Sequence, residues 1–412
     1  MKKQHVNECR IQDMIEHIAQ FTSTPGKGTT RLTYSAEHGD VRDYLQTKMK
    51  EAGLQTREDA VGNLFGRIEG KNPDLPPVLV GSHFDSVPNG GNFDGPAGVV
   101  AGLETAFIFQ ELGLKPERPV EIIAMIEEEG GRFGSGLLGS RFLTGQVTQK
   151  DLHELKDQNG ISVAQAMLDF GLDPSKSDQV ELSTGSLHAF LELHIEQGPI
   201  LEQNQEDIGI VTEVVSLSQL DVTVSGAAGH AGTTPMNARK DPMVGAASVI
   251  AKIPNIVMEV DKAAVGTVGR IVAQPGGANV IPNSISFSVD VRSPMAENVA
   301  KIKDSLRTEL KQLLDNGLTF DINEKITIPS TPMAKDIQKQ FAKDADASGV
   351  KWRSMHSGAG HDAMILSKIT QTGLVFVPSR DGISHAPEEW TDYDQLAKGI
   401  EVIFRTTKAL AE

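Results

Sequence analysis

Between residues 64 and 126 short β-branched or apolar runs alternate with clusters of turn residues and with one long apolar helix. LFGRIEG and PPVLVGSHFDS are strand-like, VVAGLETAFIFQELG carries apolar residues at helical spacing, and VEIIAMI is a further apolar run of strand length. Short apolar runs bounded by Gly, Pro and Asp and separated by one long helix predict a strand, helix, strand succession. Such a succession belongs to a layered α/β fold, in which ligands gather at strand ends where loops converge. Upstream, residues 41–58 (VRDYLQTKMKEAGLQTRE) carry helical spacing with Gly53 as a stop signal.

A chain of 412 residues exceeds one ordinary core, so two or three domains are expected. Near residue 210 the texture changes. DIGIVTEVVSLSQLDVTVSG is strand-like, DPMVGAASVIAKIPNIVMEV is helical, and GTVGRIVAQPGG, SISFSVDVRS and ENVAKIKDSLRTELKQLLDNG follow. These read as two or three strands alternating with two helices, an α+β block of about 115 residues, a comfortable domain size. The expected organisation is an α/β domain in two or three layers over residues 1–210, an inserted α+β domain over 211–327, and completion of the first domain by 328–412. The chain shows no internal repeat, low-complexity tract or coiled-coil heptad.

With 39% hydrophobic and 23% charged residues the composition is globular, and no run approaches the roughly 18 apolar residues of a membrane span. The N-terminus, MKKQHVNECRIQDMIEHIAQF, has no apolar core after its two lysines and reads as an amphipathic helix, so a cytoplasmic protein is expected. One cysteine, Cys9, excludes an internal disulfide framework and sits outside any motif. A net charge of −16 argues against nucleic-acid or membrane-surface partners, which reward clustered Lys and Arg.

Four clusters carry chemistry. Gly81-Ser-His83-Phe-Asp85 directly follows the run PVLV, with Asp94 nine residues beyond Asp85 in GGNFDGPAG. Imidazole with carboxylate suits a borderline divalent metal, and Asp85, two residues past His83, can hold that ring's other N–H. Glu127-Glu128-Glu129 follows VEIIAMI. Three adjacent carboxylates repel one another; they belong to a solvated loop or are offset by a cation. In the second case one binds metal while its neighbour acts as general base. His194 in LHIEQGP and His385 in SHAP each border an apolar run and a turn. A lone His is most often structural. Together, however, the clusters supply a ligand set for two metals about 3.5 to 4 Å apart, bridged by a carboxylate. Gly358, Gly360 and His361 in SGAGHD form a further candidate substrate loop, because glycines let backbone amides approach a ligand; His361 is alternatively structural.

These blocks, in this order, resemble the M20 metallopeptidase clan, and specifically its hydantoinase/carbamoylase branch. The resemblance runs from TRLTYSAEH through GSHFDSVPNGGNFDGPAG, EEEGGRFGSGLLGSR, LELHIEQGPILE, GHAGTTPM, GGANVIPNSISFSVDVR and MHSGAGHDAM to DGISHAPEEW. It implies a catalytic α/β domain interrupted by a lid domain that also makes a homodimer contact. It further implies that His83 and His194 ligate one divalent ion, Glu129 and His385 a second, and that Asp94 bridges them, with Glu128 as the base. The ions would be Zn²⁺ or Mn²⁺, with Co²⁺ or Ni²⁺ as alternatives. His230 of the lid would polarise the scissile carbonyl, and Asn279 and Arg292 would bind the carboxylate and amide groups of a small substrate. Arg suits that role because its planar fork meets a carboxylate with two charge-assisted hydrogen bonds.

The resemblance fits N-carbamoyl-L-amino acid hydrolases and allantoate amidohydrolases alike. Residues 216–220 read Ser-Leu-Ser-Gln-Leu where many members of the branch carry a Gly-Gln-Arg-Arg-like stretch, and this departure favours N-carbamoyl-L-amino acids. A peptidase or N-acyl amino acid hydrolase of the clan would keep every ligand and change the pocket. A non-catalytic binding module would lack a ligand or the base, and none is missing.

Overall fold

The computed structural model describes residues 5–412; Lys2 and Lys3, which precede the expected N-terminal helix, lie outside the described residues. The chain divides into two compact units. One runs up to Thr212 and resumes at Pro332, and the other is Glu213–Thr331.

The first unit is built on a nine-stranded sheet. From one edge the order is Gln55–Glu58, Leu64–Ile68, Val120–Met125, Val78–His83, Ala189–Ile195, Gln371–Val377, Ile208–Val214 and Thr331–Pro332, with Trp352–Ser357 also pairing to Ile208–Val214. At its centre Val120–Met125, Val78–His83, Ala189–Ile195 and Gln371–Val377 run parallel. Every residue of these strands except Gln371 is buried, which is why they read as continuous apolar runs and not as alternating ones. Their C-terminal ends share one edge of the sheet, and the loops leaving that edge carry His, Asp and Glu.

The crossover from Val78–His83 to Val120–Met125 is the helix Pro96–Glu111, buried along most of its length. It lies close on the sheet because it presents glycine there: a Cβ on Gly98 would meet Ser82, and one on Gly102 would stand 2.8 Å from Ile122. The helices Glu8–Ile18 and Tyr393–Ala411 pack on it, and Lys335–Ser348 packs on the last of these. A separate pair, Leu138–Leu143 and Asp362–Leu366, packs together, the second against Ala189–Ile195 and Gln371–Val377.

The inserted unit is an antiparallel sheet in the order Ile271–Gln274, Ser284–Ser293, Ser216–Ser225, Thr319–Ile328, with Val265–Thr267 also on Ser284–Ser293. Ser216–Ser225 and Ser284–Ser293 alternate strictly between buried and half-buried positions, the period-2 signature of a sheet covered on one face. Val222, Val224, Phe287 and Val289 form that face with Val249, Ile253, Ile302 and Leu306 from the helices.

Four sequence expectations are corrected. The helix expected over 41–58 is Ala36–Glu51, ended by Gly53 at φ +76°, and Gln55–Glu58 turns back as a strand. The run 241–260 is two helices, Pro242–Ile250 and Ile253–Val260, the second opening with Pro254 in its first turn, where a missing N–H costs nothing. Contrary to the expectation that no apolar run of membrane length exists, Pro242–Val260 reaches a mean hydropathy of 1.4. It is interrupted between these two helices and buries one side in the inserted unit's core. The inserted unit also has five strands in its main sheet, against two or three expected, and, with the run 241–260 split, three helices, of which Ala296–Gln312 is the second one expected.

The N-terminal helix is pinned by a buried charge. Glu104 is fully buried; it accepts from Arg10 Nε (2.6 Å) and Nη2 (2.8 Å) and from the Asn7 N–H (2.8 Å). Removing Arg10 strands that carboxylate, so Arg10→Ala is expected to lower unfolding free energy by about 3 kcal/mol. A urea midpoint unchanged from the wild type would contradict this.

Candidate metal centre

His83 closes the strand Val78–His83, and its ring is buried. Asp94 lies in the turn before the helix Pro96–Glu111, and its carboxylate sits among three imidazoles. Oδ1 is 3.4 Å from His83 Nε2 and 3.2 Å from His194 Nε2, while Oδ2 is 3.4 Å from His385 Nε2. Glu129 Oε2 approaches the same His385 nitrogen at 3.4 Å. Each oxygen of Asp94 therefore serves a different group, His83/Asp94/His194 on one side and Asp94/Glu129/His385 on the other.

These separations are long for hydrogen bonds, which cluster near 2.9 Å. Ligand atoms bound at about 2.1 Å in tetrahedral array stand about 3.4 Å from one another. The ring orientations agree: His194 Nδ1 donates to the Ile195 carbonyl at 3.0 Å, and His83 Nδ1 faces Asp85 Oδ1 at 3.3 Å, so both rings turn Nε2 toward Asp94. Neither nitrogen of buried His83 is hydrogen-bonded, and Glu129 Oε1 is likewise buried without a partner. Orphaned buried donors and acceptors at this spacing fit a divalent metal centre with Asp94 shared.

Two carboxylates brace the loops. Asp85 accepts the N–H groups of Glu128 (3.0 Å) and Glu129 (3.2 Å), tying the acidic loop to the turn after His83. Glu127 Oε1 accepts from the N–H groups of Arg132 and Phe133. Glu127, Gln197 and His385 all have left-handed backbone, at φ +49°, +59° and +57°, a conformation costing about 1 to 3 kcal/mol per residue that persists where surrounding bonds over-determine it.

The electrostatics are those of excess negative charge out of water. Burial, followed by the charge of Asp94, pushes Glu129 up to about 7. Burial also raises Glu128 well above the usual carboxylate range; His83 opposes the shift, and Glu129 adds to it. Asp94 goes the other way: burial disfavours its charge, but His194, His385 and His83 outweigh that and hold it ionised. Contact with Asp94 raises His385 to about 9 against partial burial. A cation at the shared carboxylate offsets the repulsion among the acids. Glu128 Oε2 lies 3.8 Å from His83 Nε2, with its side chain 12% exposed, beside the ligand groups but not among them.

Of the other expected residues, His230 and Asn279 come together within the inserted unit. His230 pairs with Val280 in a two-stranded ribbon, and the Ala231 N–H donates to the Asn279 carbonyl at 3.0 Å. Arg292, on the half-buried face of Ser284–Ser293, donates through Nε to Asp290 Oδ1 at 2.9 Å. Gly360 is exposed, whereas His361 is buried edge-on behind His194, with ring centroids 4.5 Å apart, and its Nε2 meets Ser357 Oγ at 2.9 Å.

Sequence reasoning missed the groups that surround Asp94. Gln197 Nε2 donates to Asp94 Oδ2 at 2.7 Å, Ser384 Oγ meets the same oxygen at 2.8 Å, and Glu389 accepts the Asp94 N–H at 3.0 Å. It also missed a buried pair of acids below the site, Glu192 and Asp362, which accept from the hydroxyls of Ser82 and Ser140. Gln197 and Ser384 lie in the blocks that were singled out for their histidines, so position beside a ligand was the available signal.

A parallel sheet that brings imidazoles around a shared carboxylate at its C-terminal edge, with a free glutamate alongside, is the arrangement of a metal-dependent hydrolase. Residues 79–409 match peptidase family M20/M25/M40, and the chain belongs to that family, in its hydantoinase/carbamoylase branch. It is 45% identical to an N-carbamoyl-L-amino-acid amidohydrolase of Paenarthrobacter aurescens, over 100% of both chains. It is 35% identical to an allantoate amidohydrolase of Bacillus subtilis (strain 168), over 98% of each. A crystal structure of an amidase of the hydantoinase/carbamoylase family from Burkholderia multivorans superposes with a TM-score of 0.92 at 32% identity, over 98% of each chain.

Gly95 gives a direct check on the geometry. It sits at φ +83°, and a Cβ there would overlap the His83 ring. Gly95→Ala is expected to weaken binding of Zn²⁺ at least about tenfold, the scale of losing ligand orientation; titration calorimetry giving wild-type affinity would refute the placement of His83.

Proposed function

We propose that the protein hydrolyses the carbamoyl C–N bond of N-carbamoyl-L-amino acids at a centre of two divalent ions, Zn²⁺ or Mn²⁺, with Co²⁺ or Ni²⁺ as alternatives. The observation that carries this reading is the shared carboxylate of Asp94, one oxygen toward His83 and His194 and the other toward His385. In this reading His83 and His194 would hold one ion, Glu129 and His385 the other, and Asp94 would contribute to both. Ions held there supply Lewis acidity, polarising the scissile carbonyl and making water easier to deprotonate.

The chain's own residues do the rest. Glu128, desolvated and outside the ligand groups, takes a proton from the attacking water and returns it to the leaving nitrogen. His230 stabilises the charge that develops on the carbonyl oxygen. Arg292 and Asn279 bind the substrate's carboxylate and amide groups, and the Gly360 loop lies alongside substrate. Cleavage of a carbamoyl amino acid by one water gives the free amino acid, ammonia and carbon dioxide. Relatives at 45%, 40% and 39% identity carry the name N-carbamoyl-L-amino-acid amidohydrolase, which favours this substrate class. The second reading, allantoate, is favoured by relatives of that name at 35% and 34% identity.

The deciding experiment follows ammonia and free amine released by the Zn²⁺- or Mn²⁺-loaded protein from N-carbamoyl-L-amino acids, allantoate and N-acetyl amino acids. Turnover of carbamoyl amino acids above the others is expected; preference for allantoate would select the second reading, and activity on acyl substrates alone would refute both. Glu128→Gln should cut kcat by at least about 10³, within the range for loss of a general base, with metal content unchanged. Loss of metal in that variant would remove Glu128 from the role of base.

We also assign the inserted unit to homodimer contact. Val244 and Met258 on its helices and Val265 and Ile271 on its strands are 63%, 55%, 54% and 52% exposed there, and exposed apolar surface is what association buries. Val244→Lys with Met258→Lys is expected to convert a dimer to a monomer by light scattering. A wild type that is already monomeric would rule this contact out.

A further inference from the structure

Glu389 lies four residues past His385, and its side chain is buried, 3% exposed. Its polar contacts converge on the surroundings of Asp94. Oε1 accepts two consecutive backbone N–H groups, from Phe93 at 2.9 Å and Asp94 at 3.0 Å. Oε2 meets Ser384 Oγ at 2.9 Å, and that hydroxyl also stands 2.8 Å from Asp94 Oδ2. Gly91 lets the glutamate in, since a Cβ there would overlap the Glu389 side chain. The neighbours on either side are packed separately: Phe93 meets Trp390 edge-on at 5.4 Å and Tyr393 at 5.8 Å.

This mirrors what Asp85 does across the site, where one buried carboxylate grips two consecutive N–H groups of the loop bearing Glu128 and Glu129. We propose that Glu389 is the positioning residue for the Asp94–His385 half of the centre, fixing the backbone that aims Asp94 and the hydroxyl next to His385. The inference rests on the reading that Asp94 and His385 hold an ion. Glu389 touches neither substrate nor reacting atoms; it acts by orienting groups that do, and loss of such partners commonly costs 10- to 100-fold in metal affinity, by rough rule.

Hydrogen-bond inventory separates this role from a requirement for charge. In Glu389→Gln the amide oxygen can still accept the Phe93 and Asp94 N–H groups. The amide nitrogen can donate to Ser384 Oγ, leaving the serine proton for Asp94. Glu389→Ala loses every contact, while the Phe93, Trp390 and Tyr393 packing keeps the segment docked.

The test is Zn²⁺ titration of the chelator-stripped full-length protein against a competing chelator, reading both binding events. In Glu389→Ala one event should weaken at least about tenfold and the other, which shares Asp94 but keeps His83 and His194, by clearly less, while Glu389→Gln holds both within about threefold of wild type. In a His385→Ala background the alanine at 389 should add nothing further, since both act on the same ion. Should Glu389→Ala not fold, Ser384→Ala, which removes the hydroxyl alone, should weaken the same event, and an unchanged event overturns the inference. Two wild-type-like events in Glu389→Ala would also overturn it and leave the proposed function standing, as would equal losses in the Ala and Gln variants. A wild type that binds fewer than two ions would instead bring down the shared-Asp94 reading and this inference with it.

Discussion

A carboxylate held ionised out of water among three imidazoles is the constraint that the first unit is organised around. Asp94 is 7% exposed, and burying a charge is costly unless it is paired on every side. Its partners come from four stretches of chain: His83 from one central strand, His194 from the next, His385 from the C-terminal segment, and Gln197 from the turn after His194. The parallel sheet answers this requirement because its strand ends bring sequence-distant loops to one edge at fixed spacing. Strand order and ligand arrangement are thus one fact.

The loops show the same economy. Backbone N–H groups that no strand or helix bond satisfies are gathered by buried carboxylates, by Asp85 for Glu128 and Glu129 and by Glu196 for Ile200 and Leu201 at the start of a short helix. Acids that would be surface residues in an ordinary turn become the frame on which the ligands hang, and this accounts for much of the buried acid count in a protein of net charge −16.

How legible this was depends on the range of the interaction. The α/β class followed from local signals, since the runs at 78–83 and 120–125 are apolar throughout and the helix between them is long. The helix ending at Glu51 was read too far because QTRE has no strand signature of its own; its pairing with Leu64–Ile68 makes it a strand. The helix Tyr393–Ala411 went unread beside the motif at 384–390, although its buried residues recur at helical spacing. The histidines and acids of the site stood out because they interrupt apolar runs. Glu389, Glu192 and Asp362 did not, since their partners lie 296, 110 and 222 residues away, and no local pattern encodes such contacts.

The strand Gln371–Val377 lies between Ala189–Ile195 and Ile208–Val214 in the sheet, although the chain reaches it only after the whole inserted unit. During synthesis the first half of the molecule therefore emerges with a missing stave, its two flanking strands made long before the one that must join them. Most of the His and acid residues around Asp94 are in place by then, but His385 and Ser384 arrive just behind that last central strand. A nascent chain can hold a half-built cluster of acids without their full set of partners, and the centre is complete only once that last segment has been made. The inserted unit, contiguous in sequence from Glu213 to Thr331, has no such wait: all its strands are translated in one block, so it is free to fold before the sheet of its host is complete.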